Sequence, residues 1–202
     1  MRRQAKTRHA KPSTLRIIGG QWRGRKLSFS DTDGLRPTGD RIRETLFNWL
    51  AGDIVGARCL DLFAGSGALS FEALSRGAAT VIAIESNAKA CRAIEAAAEQ
   101  LKATSLALQQ ADATQWINST PAEPMDIVFI DPPFSANLWH QILAQLIALG
   151  WLAQGALIYL ETPIEHPLNA AEIDPQLIPL RSKRAGQVNY QLWQYDCSPS
   201  GS

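Results

Sequence analysis

Apolar residues along this chain fall in short runs that end on an acidic or turn-forming residue, and these runs alternate with stretches of helical spacing. Cys59-Leu-Asp-Leu-Phe63 is one strand-like run, and Gly65 and Gly67 break it before a helical stretch over residues 68–76. A second run, Val81-Ile-Ala-Ile84, is closed by Glu85 and places a strand over residues 80–85. Helix is expected over 86–101, strand over 106–110, a short helix near Thr114, strand over 126–130, helix over 137–149 and strand over 156–161. Alternation of this kind predicts an α/β fold with a parallel sheet. Residues 163–175 read as irregular. The last two strands, 177–183 and 188–195, face each other across Gly186 and can only be an antiparallel hairpin, so the sheet ends mixed.

Upstream of the first run, residues 14–18 and 26–29 read as short strands around Gly19-Gly-Gln-Trp-Arg-Gly-Arg25, a basic hairpin with an aromatic in it. The segment 35–50 starts with a proline turn and becomes a helix with Thr38 or Asp40 near its cap. Ile42, Leu46, Trp49 and Leu50 share one face of it, which puts Arg41 and Arg43 on the opposite side. The expected organisation is a basic arm over residues 1–13, a β-hairpin extension over 14–34, a main domain over 35–196 and a disordered tail over 197–202.

A chain of 202 residues can bury one sizeable core, and no long linker divides it. No run of eighteen apolar residues occurs, and no apolar segment with a cleavage site follows the basic N-terminus, so a soluble, unsecreted, cytoplasmic protein is expected. An Arg-rich start also resembles a transit peptide, a weaker reading because no clear amphipathic helix accompanies it. Cys59, Cys91 and Cys197 lack Cys-x-x-Cys spacing, and His9, His140 and His166 lack ligand spacing, so neither disulfides nor a metal are expected. Charge changes the picture more. Nine of the 20 Lys and Arg lie in residues 1–26, which hold no acid; the other 11 stand against all 19 Asp and Glu, a net charge of −8. An acidic body with a basic end suits a polyanionic partner met at that end. Residues 1–13, almost without apolar side chains, are expected to be disordered alone, either as an arm ordered by RNA or as a solubilising tail.

The glycine turn after the first run is where a nucleotide-like cofactor would sit, because glycine admits positive φ and close backbone approach. Gly-x-Gly by itself is shared by NAD, FAD and S-adenosylmethionine proteins. Asp61 discriminates: a carboxylate at the strand end repels a pyrophosphate but suits a cofactor with an ammonium group and no phosphate. S-adenosyl-L-methionine is such a cofactor. Candidate contacts are Asp61, the turn residues Phe63, Ala64, Gly65, Ser66 and Gly67, Glu85 for the ribose hydroxyls, and Asp112 with the Ala113 N–H for the adenine; Thr38 at the start of the upstream helix joins them. Asp131-Pro-Pro-Phe134 is the second signal. Two prolines fix the backbone and remove donors beside a carboxylate that can only accept, which makes a rigid acceptor corner of Asp131 and the Pro132 carbonyl. An exocyclic NH2 fits it, with Phe134 offering a face for the base to stack on. Each motif alone has a structural reading, as a ligand-free turn or a proline-terminated strand; together they favour direct methyl transfer to an amine. For nucleic acid the candidates are Trp22, Arg23, Arg25, Lys26, Arg36, Arg41 and Arg43. Trp22 is placed either to stack on a base or to pack on the main domain, and Arg41 and Arg43 either to meet phosphate or a cofactor carboxylate or to form a solvated face.

The blocks Gly19-Gly-Gln-Trp-Arg-Gly-Arg25, Leu35-Arg-Pro-Thr38, Asp40-Arg-Ile-Arg-Glu44, Leu46-Phe-Asn48, Leu60-Asp-Leu-Phe-Ala-Gly-Ser-Gly67, Asp131-Pro-Pro-Phe134, Gly150-Trp-Leu152 and Ala185-Gly-Gln-Val188 together resemble the bacterial RsmD family of small-subunit ribosomal RNA guanine-N2 methyltransferases. The likeness runs from about residue 15 to residue 195. It implies the class I, Rossmann-like methyltransferase fold with a seven-stranded mixed sheet in the order 3-2-1-4-5-7-6. It further implies S-adenosyl-L-methionine as cofactor, one guanine of 16S ribosomal RNA as target, and a substrate presented by the small ribosomal subunit or a late assembly intermediate of it. The residues by themselves leave two alternatives: an amino-methyltransferase acting on adenine or cytosine in DNA or on a protein glutamine, and a non-catalytic RNA-binding ribosome assembly factor.

Overall fold

The computed structural model describes residues 13–29 and 39–197. The arm over 1–12, the segment 30–38 with the candidates Arg36 and Thr38, and the tail over 198–202 lie outside the described residues. β1 (Ser13–Arg16) and β2 (Lys26–Phe29) pair antiparallel as a separate hairpin, with Leu15 opposite Leu27. α1 (Asp40–Trp49) leads into β3 (Arg58–Asp61), α2 (Ala68–Ser75), β4 (Thr80–Glu85), α3 (Ala88–Leu101) and β5 (Leu106–Gln110). α4 (Ala113–Trp116), β6 (Met125–Ile130), a 3-10 turn (Phe134–Ala136), α5 (Trp139–Ala148) and β7 (Leu152–Pro163) follow. α6 (Ala170–Ile173), β8 (Leu177–Ala185) and β9 (Val188–Tyr195) complete the chain. The expected irregular stretch over 163–175 thus holds one turn of helix, capped by the Asn169 side chain on the Ala171 N–H.

The strands after the hairpin form one seven-stranded sheet in the order β5-β4-β3-β6-β7-β9-β8, which is 3-2-1-4-5-7-6 counted along the chain. β3 to β7 run parallel, and β9 pairs antiparallel with both β7 and β8. One apolar core lies on each side. The first joins the sheet to α1, α2, α3 and the hairpin through Leu46, Phe71, Ile94, Leu15 and Ile17. The second joins it to α4, α5 and α6 through Ile117, Ile142, Leu146 and Ala170. The strand order reverses between β3 and β6, and open α/β folds carry their ligands outside the carboxyl ends of the strands at that point.

α2 is buried on every side, Glu72 included, because the hairpin covers the side that the sheet does not. Glu72 accepts from the backbone N–H of Ile18 and of Gly19, both at 2.8 Å, and from Arg76 Nε at 2.7 Å. Gln21 N–H donates to the Ser75 carbonyl at 2.7 Å, and the Ser75 hydroxyl donates to the Gly19 carbonyl at 2.6 Å. At Gly20, φ is +74°, and a Cβ would stand 1.7 Å from the Ser75 carbonyl oxygen, so only glycine permits the approach.

Two expectations are corrected in this region. The buried spine of α1 is Arg43, Leu46 and Phe47, continued by Leu50, whereas Ile42 and Trp49 are half-buried; its N-cap is Gly39, with no side-chain cap bond. Arg43 is therefore no phosphate contact on a solvated side: it is fully buried, donates to the Arg16 carbonyl at 2.8 Å and to Asp40 at 2.6 Å, and lies 3.7 Å from Glu72. Trp22 is half-buried against the first core and its backbone N–H donates to the Ser75 hydroxyl at 3.0 Å, which is the packing on the main domain that the sequence offered as one of its two roles.

Candidate active site

The carboxyl ends of β3, β4 and β6 open on a cleft of about 1080 Å³ that also receives the ends of β5 and β7. Asp61, Phe63, Ala64, Gly65, Ser66, Glu85, Asp112, Ala113, Asp131, Pro132 and Phe134, predicted from separate stretches of the chain, all line it. Each acid reaches it for the same reason. A strand of alternating or continuous apolar residues stops where its sheet neighbours stop, and the next polar side chain projects from the rim.

Asp61 is the most enclosed of the acids, at 2 % exposure, and its Oδ2 accepts from the Ser70 hydroxyl at 2.6 Å. Burial pushes its carboxyl up to about 6, against the Ser70 bond that pulls it down. Glu85 is oriented by two backbone donors, Gly65 N–H on Oε2 at 2.8 Å and Asn87 N–H on Oε1 at 2.6 Å. A carboxylate has about four acceptor positions, so this clamp still leaves capacity for a ligand. Gly65 itself has φ +55°, which turns its N–H onto the neighbouring strand's acid. Asp112 caps α4 with Oδ1, which accepts from Thr114 and Gln115, and the Thr114 hydroxyl bond holds its carboxyl below the usual range. Its expected contact to an adenine would therefore fall to Oδ2 and to the Ala113 N–H.

Gly67 has a packing role within the glycine turn. It does not line the cleft. It begins α2 at φ +76°, where a Cβ would meet the Phe71 ring at 2.7 Å, so its glycine serves the turn and the packing of α2. On the other side of the cleft Pro132 is buried and Phe134, in the 3-10 turn, is 37 % exposed with its ring 6.1 Å from that of Trp139. Arg23, Arg25, Lys26 and Arg41 are exposed, and none of them lines the cleft.

One acid of the lining is absent from the candidates that the sequence offers. Glu161 closes the apolar run of β7 as Glu85 closes β4 and Asp131 closes β6, and it projects into the same cleft. The signal was available: an acid ending a buried strand. No glycine or proline motif follows it to draw attention.

Among the described residues the cleft is lined by five acids, Asp61, Glu85, Asp112, Asp131 and Glu161, and by no Lys, Arg or His. Such a lining opposes a pyrophosphate and fits a ligand carrying an ammonium and a sulfonium. The described residues place no group of three His, Cys, Asp or Glu to hold a metal ion, and none of their helices is long and apolar enough to cross a membrane.

A seven-stranded sheet of this order, with an antiparallel final hairpin and a glycine turn after its first parallel strand, is the fold of the class I S-adenosylmethionine-dependent methyltransferases. A family model described as "Conserved hypothetical protein 95" matches residues 15–194. The ribosomal RNA small subunit methyltransferase D of Escherichia coli K12 is 47% identical over 189 residues, or 94% of each chain. Its Haemophilus influenzae counterpart is 41% identical over 183 residues, 89% of this chain and 93% of the other. The solved structure of the Escherichia coli protein yhhF has a TM-score of 0.84 and 43% identity over 92% of this chain and 100% of that one. The chain belongs to the ribosomal RNA small subunit methyltransferase D family.

Proposed function

We propose that the protein transfers a methyl group from S-adenosyl-L-methionine to the exocyclic N2 amine of one guanine in 16S ribosomal RNA, presented by the small ribosomal subunit or a late assembly intermediate of it. The observation that carries the reading is the Asp131-Pro132 acceptor corner opening on a cleft whose titratable lining is wholly acidic. Relatives named as small-subunit ribosomal RNA methyltransferases support the RNA substrate.

In this reading Asp61 and Glu85 hold the cationic cofactor, with Asp112 and Ala113 at its base. The cofactor supplies an electrophilic sulfonium methyl. Asp131 and the Pro132 carbonyl accept the two amine hydrogens, so the amine nitrogen turns its lone pair toward that methyl, and Phe134 stacks on the base. Transfer of that methyl to the nitrogen would leave the thioether form of the cofactor as product, and the surplus amine proton would pass to water. The carboxylate of Asp131 meets the positive charge that develops on the nitrogen. The exposed Arg23, Arg25, Lys26 and Arg41 are left to meet phosphate outside the cleft.

Mass spectrometry of nucleosides from small subunits lacking the modification, treated with the protein and labelled cofactor, tests the proposal. Label is expected in N2-methylguanosine. Label in methylated adenosine, cytidine or glutamine would assign the corner to another amine, and no cofactor binding by calorimetry would leave an RNA-binding assembly factor.

A second measurement tests the cofactor site through Asp61. The carboxyl titrates near its raised value of about 6, compared with ~3.9 for an unfolded aspartate. A raised acid binds its proton more tightly when folded, so its contribution to stability is full below the unfolded value and is lost as pH rises through the folded one. A cation bound beside it favours the ionised form. Cofactor affinity is therefore expected to rise with pH through about 6 and then level off, and Asp61→Asn to flatten that step. A wild-type affinity independent of pH across this window would separate Asp61 from the ammonium.

A further inference from the structure

We propose that Glu161 reads the ring N–H next to the target amine, and so makes guanine the accepted base. The inference rests on the reading above, that Asp131 receives an exocyclic amine, and adds the group that identifies the ring. β6 and β7 are parallel neighbours with Phe129 opposite Tyr159 and Ile130 opposite Leu160, so Asp131, the first residue past β6, and Glu161, the next residue of β7, follow the last paired positions at the same level of the sheet. Neighbouring strands lie ~4.8 Å apart. Both carboxylates line the one cleft.

Glu161 is held in place. It is 4 % exposed, its Oε1 accepts from the Tyr159 hydroxyl at 2.7 Å, and its own carbonyl accepts from the Trp139 indole N–H at 2.8 Å. Burial first, and then the Glu161 side chain it donates to, push the Tyr159 hydroxyl well above its ordinary pKa.

Two carboxylates side by side, each with about four acceptor positions and so with capacity beyond its protein partners, suit a ligand with two donors side by side. A flipped base is read on its Watson–Crick edge. On guanine the N2 amine is flanked by N1–H, a second donor. The adenine amine is flanked by N1 and the cytosine amine by N3, both lone pairs, and the amide of a protein glutamine is flanked by its own carbonyl. Each of these would set an acceptor against the Glu161 carboxylate in a cleft shielded from water, where an unpaired polar group is most costly.

The test is a pair of substrates. The methylated guanine is mapped first with the wild-type protein, labelled cofactor and small subunits. The subunits are then rebuilt with a ligated synthetic segment carrying 2-aminopurine at that position, which keeps the amine and replaces N1–H by a lone pair. Wild-type single-turnover transfer to 2-aminopurine is expected to be at least ~10²-fold slower than to guanine. In Glu161→Gln the amide can donate to that lone pair, and the ratio is expected to fall to within ~10-fold, with cofactor affinity unchanged. The loss of O6 in 2-aminopurine is common to both proteins and cancels in the comparison. Equal wild-type rates on the two bases, or an equal ratio in both proteins, overturn the proposal. If Glu161→Gln fails to fold, seen as lost cofactor binding, the wild-type ratio alone decides, and a value below ~10 overturns it. Failure of the wild-type protein to label any guanine is a different outcome and overturns the amine-methyltransferase reading beneath it.

Discussion

Asp131→Ala is expected to lower the single-turnover rate of methyl transfer by roughly 10²- to 10³-fold or more, while cofactor binds almost normally. The side chain is assigned to the target amine and stands on the opposite side of the strand reversal from Asp61 and Glu85, which face the cofactor. Asp131→Asn separates two mechanisms. Its amide oxygen still accepts a hydrogen bond although the negative charge is gone, so its rate should lie between those of wild type and alanine. An obligatory proton acceptor would leave asparagine and alanine equally inactive. Rates at saturating cofactor over a range of pH decide, and equal rates for the two variants would replace orientation of the amine by general base catalysis.

The largest effect on stability is expected at Glu72. Its carboxylate is fully buried, lies against the buried Arg43 and the half-buried Arg76, and accepts two backbone N–H groups of the hairpin. Glu72→Ala leaves the Arg43 guanidinium buried without that charge, a change that typically costs ~3–5 kcal/mol. Urea denaturation is the measurement. A loss below ~1 kcal/mol would show that Arg43 finds compensation in Asp40 and the Arg16 carbonyl alone.

Most of the cleft was legible in the sequence because its acids stand at strand ends beside a local signal. Glu85 closes an apolar run, Asp61 precedes the glycine turn, Asp131 opens the proline corner, and Asp112 follows the third strand of the sheet. Glu161 also closes an apolar run, Ala156 to Leu160, but no glycine or proline turn follows it to mark the position as a site. The packing of α1 was harder. Apolar residues at 42, 46, 47, 49 and 50 span a wide arc, and helical periodicity admits more than one buried line through them. What settles the line is Arg43, whose burial depends on Glu72, a partner 29 positions later on another helix, and no local pattern conveys that. Trp22 was ambiguous for a similar reason: its surroundings, including Ser75, belong to a distant element. Gly67 shows the opposite limit. A glycine motif marks the turn but does not say which glycine faces the ligand and which makes room for Phe71.

The hairpin's attachment to α2 has a consequence for the order in which the chain assembles during synthesis. Ile18 and the Glu72 that receives its N–H are 54 positions apart, so the hairpin is synthesised before its partner helix exists. A two-stranded ribbon alone is marginal in water, and Leu15, Ile17 and Leu27 have no surface to bury against until α2 lies on the sheet. The first strands made are therefore among the last to settle, closing over a helix that must already be in place.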